Sequence, residues 1–578
     1  MKLLSKTKLA VFVCTLLSLR LSDAHAQQAF GVVTFTNSGP AAAQSDFLLG
    51  LAELHNFEYE HAADYFRKAE KSEPTFAMAY WGEAMTKNHA IWHEQDLAGA
   101  REVLARLGKT PEERIGKAPT EREKAYLRSI ELLYGEGEKA ERDRKYEASM
   151  AELHGRFPDD VNAASFYALA ILGTAEYGRD FATYMRAAAV LEEVLPKNLQ
   201  HPGVLHYLIH CYDDPIHAPL GLRPARLYSR VAPEAGHAQH MTSHIFLALG
   251  MWDEVVKANE NAVAVVNRQL AVVGKPPRRC GHYNFWLEYG YLQQGRTSEA
   301  RRVLEACRGE AIEHSRNLTQ SAGSPDPDTS SIGSYAGMRA HFLIDSRFWD
   351  DEVARWDLPA GGDPFSQLTF DYTNALVSFE KNDFTLVREF SVRMEADRER
   401  GEAWLKEHKE DDANEIRRIA IMNDQIAALL SMQNATGQET VRALQRIADQ
   451  EHELPLAFGP PIVPKPTDEL LGEIYLRLQS PAAARKSFEA DLARAPGRTL
   501  AVKGLEAAEL QLAALPKGKD ADKQSPAAAD HVHHHLESNT STARWHHEDS
   551  INLLRGVGHV SGSDLQAEAS GSFGKGTD

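Results

Sequence analysis

From Asp46 to Pro74, apolar and small residues fall where a pair of packed helices needs them. Leu49-Gly50 sit in the first helix, Ala62 and Phe66 in the second, and Ala69 and Pro74 at its end. Leu471-Gly472, Tyr475, Ala484, Phe488 and Pro496 repeat the spacing near the other end of the chain. Two helices cross closely only where side chains are small, which sets Gly50 against Ala62. A large residue such as Phe66 fills the remaining space, and Pro74 closes the second helix. Between these ends the pattern is looser. Leu287, Tyr291, Ala300 and Leu304 fit one hairpin with a turn at Gly295-Arg296, and Phe246, Gly250 and Val255 fit another with Met251-Trp252-Asp253 in its turn. Arg347-Phe348-Trp349-Asp350 reads as a further turn, and Tyr80, Ala84 and Met85 open the unit after the first. Only Val32 to Phe35 has the look of a short β-run.

These positions, in a unit of about 34 residues, are those of the tetratricopeptide repeat (TPR). One hairpin cannot bury its apolar face alone, so units stack. The expectation is an all-α, right-handed TPR-like helical-hairpin solenoid over residues 43–515 with irregular central repeats. Residues 108–120, 323–331 and 359–366 read as loops, and the proline-rich stretch 455–466 as non-helical. Residues 516–578, polar and rich in Gly, Ser, Asp and His, read as a disordered tail whose His531, His533, His534 and His535 are incidental to a flexible segment.

The first 26 residues have the form of a signal peptide: Lys2, Lys6 and Lys8, an apolar run from Leu9 to Leu19, and a small-residue site at Ala24-His25-Ala26. A short mature segment, 27–42, would then precede the solenoid. The expected location is exported, periplasmic or secreted, with no membrane span. A net charge of −18 excludes nucleic acid and anionic membranes as partners and favours attraction of cations. Beyond the leader only Cys211, Cys280 and Cys307 remain. Three cysteines rule out a disulfide-scaffold class, and buried free thiols are the expectation.

Histidine is the unusual component. Of 25 in the chain, seven lie between His201 and His244. Spacings of three and four put His206 and His210 on one helical face, and His237, His240 and His244 on another within about 60°. Counting back from Val255 starts the second of these helices near Gly236 and puts its three histidines at groove-lining positions. The same register places His282 and His341 in the groove from later units. First helices of neighbouring units lie roughly 8–10 Å apart, so their imidazoles can meet. Three or four neutral imidazoles suit Zn²⁺, Cu²⁺, Ni²⁺ or Fe²⁺, and Asp213 or Asp214 can ligate or orient them. Trp81, Tyr207, Tyr283, Trp286 and Tyr289 gather near the same face, as a ligand wall or as core. His89 and His93, with one helical face to share, stand apart from this set. No phosphate loop, Cys-x-x-Cys, His-Glu-x-x-His or Gly-x-Ser-x-Gly occurs.

The runs His201-Pro202-Gly203, His206-Tyr207-Leu208-Ile209-His210 and Gly236-His237 through His244-Ile245 resemble a group of exported TPR proteins with the same histidine pattern. Gly459-Pro460-Pro461, Leu471-Gly472 and Pro496-Gly497-Arg498 are similar to that group as well. The resemblance implies the TPR fold and carries no activity. Two functions therefore stand side by side. One is a scaffold holding a protein or peptide in its concave groove. The other is a metal-dependent enzyme or metal-binding protein, centred on His206, His210, His237, His240 and His244, with a small ligand at the metal.

Overall fold

The computed structural model describes residues 29–175, 179–317, 330–408, 413–433, 437–456 and 458–515. The expected signal peptide, the tail with its histidine cluster, and most of the loop 323–331 lie outside these residues. Helix follows helix from Ala41 to Ala514, nearly every one packed on its successor. The chain is thus an all-α, TPR-like helical-hairpin solenoid. Among the described residues the only strands are Asn88–His89 and Glu94–Gln95, two residues each. Val32 to Phe35 is extended, with Val33 and Phe35 buried, but pairs with no strand.

At both ends the hairpins interlock through one phenylalanine set between two glycines. A Cβ on Gly50 would stand 3.0 Å from the ring of Phe66, and one on Gly82, in the next hairpin, 2.3 Å from it. Phe488 is held in the same way by Gly472 at 2.7 Å and Gly504 at 2.3 Å. Gly50 therefore makes room for Phe66. The lost side chains let one aromatic ring cement two units, since packing at interior density leaves no space for another carbon.

The C-terminal hairpins fold back onto the middle of the array. Gly250 (φ 68°) and Gly497 (φ 71°) close two turns that touch, and a Cβ on Gly250 would meet the Pro496 carbonyl oxygen at 2.6 Å. The Trp252 indole N–H donates to the Gly497 carbonyl oxygen at 2.9 Å. Beside this contact the fully buried Arg498 reaches Glu469 and Asp345, each at 2.8 Å, and donates to the Tyr289 hydroxyl at 3.1 Å.

Several local expectations change. Residues 108–120 contain a helix, Pro111–Gly116, because Thr110 caps it and Pro111 takes its first turn. Residues 364–366 belong to the helix Pro364–Glu380, capped by Asp363. His89 and His93 share no helical face: His89 is in the short strand and His93 adopts φ 56°. Cys280 and Cys307, expected as free thiols, form a disulfide with Cα atoms 4.3 Å apart, while Cys211 is free and buried. The bridge ties the start of the helix His282–Gln293 to its hairpin partner Thr297–Asn317. No described helix is long and apolar enough to cross a membrane.

Candidate metal centre

Three successive first helices carry the central histidines: Pro202–Tyr212, Gly236–Ala248 and His282–Gln293. His201 begins the first by accepting the Val204 N–H on its Nδ1 at 3.3 Å, with Pro202 in the opening turn. His206 and His210 then follow one turn apart. His237, His240 and His244 run along the second helix, and His282 opens the third just after Gly281 (φ 104°).

The six imidazoles gather into two triads. In the first, Nε2 of His206 lies 3.1 Å from Nε2 of His210 and 3.1 Å from Nε2 of His237. In the second, Nε2 of His240 lies 3.0 Å from Nε2 of His244 and 2.8 Å from Nε2 of His282. Within each triad all ligand atoms are within 4.8 Å of one another. A metal with Zn–N bonds of 2.0–2.1 Å in tetrahedral array would separate its nitrogens by about 3.3 Å, close to the spacing of His206 and of His240 from their two partners.

The outer nitrogens decide which way the inner ones face. His206 Nδ1 lies 2.7 Å from the His55 carbonyl oxygen, which only accepts, so Nδ1 carries the proton. The Asn259 amide N–H donates to the Val255 carbonyl oxygen at 2.9 Å, turning Asn259 Oδ1 toward His240 Nδ1 at 2.7 Å. His244 Nδ1 donates to the Asp213 carboxylate at 2.6 Å. In their neutral forms His206, His240 and His244 therefore present Nε2 as a bare lone pair. For His240 and His244 this aims two lone pairs at each other across 3.0 Å, an arrangement that a shared cation makes favourable. Such backing by carboxylate, amide or carbonyl is how metal-bound imidazoles are oriented.

Burial keeps four of the rings, His206, His210, His237 and His240, neutral. His206 and His240 are fully buried, His210 and His244 nearly so, and His237 and His282 half-buried. Desolvation, followed by the neighbouring imidazoles, lowers the pKa of His206, His210, His237 and His240 well below the usual histidine range. Protons thus compete weakly for these nitrogens. Phe57, at the turn of the first hairpin, packs edge-on against His206 with centroids 4.3 Å apart and stacks on His210 at 5.7 Å. Tyr283 stacks on His240 at 4.7 Å, and Trp286 covers His244 at 4.4 Å. Gly459, in the proline-rich 455–466 stretch, approaches the outer edge of Trp286. Two of the chain's own loops therefore pack close to the site.

Other expected groove residues go elsewhere. His341 pairs with Asp345 at 3.1 Å, inside the Arg498 network and outside both triads. The Tyr207 hydroxyl bonds to His55 Nδ1 at 3.0 Å and is core. Trp81 packs against Phe35, Tyr126 and Phe166, also in the core. Asp214 holds Arg179 at 3.0 Å and His217, leaving Asp213 to serve His244. His55, Phe57 and Asn259 join the site without any mark in the local sequence pattern. The first two lie about 150 residues before His206, and no local spacing links them to it.

No family model and no curated protein matches the chain. Similar solved structures include an APC/C hetero-tetramer, Cut9-Hcn1, at 11% identity over 82% of this chain and 77% of that one, TM-score 0.31. Yeast Tom70 is similar at 13% identity over 82% and 89%, TM-score 0.29. The P58(IPK) TPR domain is similar at 11% identity over 82% and 99%, TM-score 0.19.

Proposed function

We propose that this chain is an exported metal-binding protein whose two histidine triads hold transition-metal ions inside a TPR-like solenoid. The observation that carries the reading is the facing of His240 and His244 Nε2 at 3.0 Å with both Nδ1 atoms already committed as donors. Zn²⁺, Cu, Ni²⁺ and Fe²⁺ all accept imidazole. Three protein ligands leave positions open on each metal, which supports hydrolytic or redox chemistry on a small ligand. Export is supported by the leader-like first residues and by the Cys280–Cys307 disulfide, a bond that persists in oxidising compartments.

The test is metal content in the full chain with the tail histidines His531, His533, His534, His535, His546, His547 and His559 changed to Ser, so that they do not contribute. Stoichiometric metal that falls on His240→Ala plus His244→Ala supports the reading. Equal metal in both chains contradicts it.

A scaffold for a protein or peptide is the second reading. It is favoured by Ile216 and Leu220, exposed by 64% and 58% near the contact of Phe181 with His217. Because the chain's own loops pack close to the histidines, such a partner would dock on this rim. Loss of a captured partner on Ile216→Asp plus Leu220→Asp, with metal content unchanged, would support it.

A further inference from the structure

The two triads are neighbours on both sides. Rings of His210 and His244 lie 6.4 Å apart, and those of His237 and His240 also 6.4 Å apart. One helix, Gly236–Ala248, supplies His237 to the first triad and His240 and His244 to the second. Metals in such triads would sit side by side along one face of this helix, and paired metals in proteins commonly sit about 3.5–4 Å apart.

The donor set limits the charge that the pair can carry. Both triads consist of imidazole donors alone. Asp213 spends its carboxylate on the far nitrogen of His244. Glu58 accepts the backbone N–H of His237 at 3.1 Å, on the helix start and not on a ring. Two dications would therefore place four positive charges in a buried site where no described side chain supplies a ligating anion, so such a pair needs an anion from solvent. The cost of burying an ion scales with the square of its charge, so a monocation costs about a quarter as much as a dication. Of the metals that imidazole suits, copper is stable as a monocation, and three nitrogen ligands suffice for it.

On the metal-binding reading above, we infer that the six histidines form one dinuclear copper centre. It rests as a Cu(I) pair, and its two metals share a bridging ligand when oxidised. A soluble one-electron acceptor, two equivalents per pair, takes one electron from each copper, and water supplies a bridging hydroxide with release of a proton.

The full chain carrying the tail His→Ser changes is loaded without oxygen with Cu(I), and the bound metal is counted against bicinchoninate. It is then oxidised with ferricyanide, and its electron-spin intensity is compared with its copper content. Two coppers per chain and a spin count below one-tenth of the copper are expected. His206→Ala should leave one copper with its full spin, and that retained copper reports an intact fold. Two coppers with two independent spins would overturn the coupled centre and leave the metal-binding reading standing. Zn²⁺ displacing Cu(I) at equal free concentration would overturn the copper assignment. Absence of any bound metal would overturn both readings.

Discussion

The Asp213 carboxylate accepts the Nδ1 proton of His244 at 2.6 Å, on the side of the ring opposite the metal-facing nitrogen. Asp213→Ala should weaken metal binding at the His240–His244–His282 triad about 10- to 100-fold, the usual effect of losing an orienting carboxylate. The His206–His210–His237 triad should keep its affinity. Competition titration of the two sites checks this, and equal weakening at both would assign Asp213 a purely structural role.

The glycine-flanked phenylalanines should be sensitive in both directions. Gly82→Ala forces a carbon into the Phe66 ring and should cost about 1–3 kcal/mol. Phe66→Ala leaves a cavity between two hairpins and should cost about 3–5 kcal/mol. Denaturant unfolding of each variant gives the values. A Gly82→Ala chain as stable as the parent would mean that the hairpins adjust freely.

Much of the helical architecture was legible in the chain. Gly50, Phe66, Gly472 and Phe488 mark the terminal hairpins, and Gly236 starts its helix where counting back from Val255 put it. The pairing of Gly82 and Gly504 with those phenylalanines was not legible, since each belongs to the next unit. The five histidines expected as one cluster, with His282 in the same groove, form two triads that include His282. Register alone put His341 in the groove, but the approach of Arg498 from the C-terminal hairpin draws its partner Asp345 into a separate ion network. Spacing reports faces of one helix; contacts that depend on how the array curls are absent from it.

That ion network should hold the C-terminal hairpins against the centre. Arg498→Ala strips the buried Glu469 and Asp345 of their shared cation and should cost about 3–5 kcal/mol. Proteolysis should then cut first within residues 455–515. Uniform loss of resistance along the whole chain would show instead that the array unfolds as one unit.

Acid should destabilise the metal-free protein through its neutral buried histidines. Burial lowers the His55 pKa from 6.5 to about 4, against a hydrogen bond to Asn162 that acts in the opposite sense. The unfolded chain thus takes up the proton first. The contribution is full above pH 6.5 and is lost as pH falls toward 4, worth about 3 kcal/mol for this residue. His55→Gln should flatten the fall between those values in a series of denaturation curves. An unchanged slope would move the effect to other groups.

X-ray absorption of the metal-loaded full chain, with the tail histidines replaced by serine, tests the central claim most directly. The account predicts a metal surrounded by imidazole nitrogens near 2.0 Å, with the metal content halved in His240→Ala plus His244→Ala and the imidazole signal lost when His206→Ala is added. A metal bound mainly by oxygen, or one indifferent to those substitutions, would contradict it.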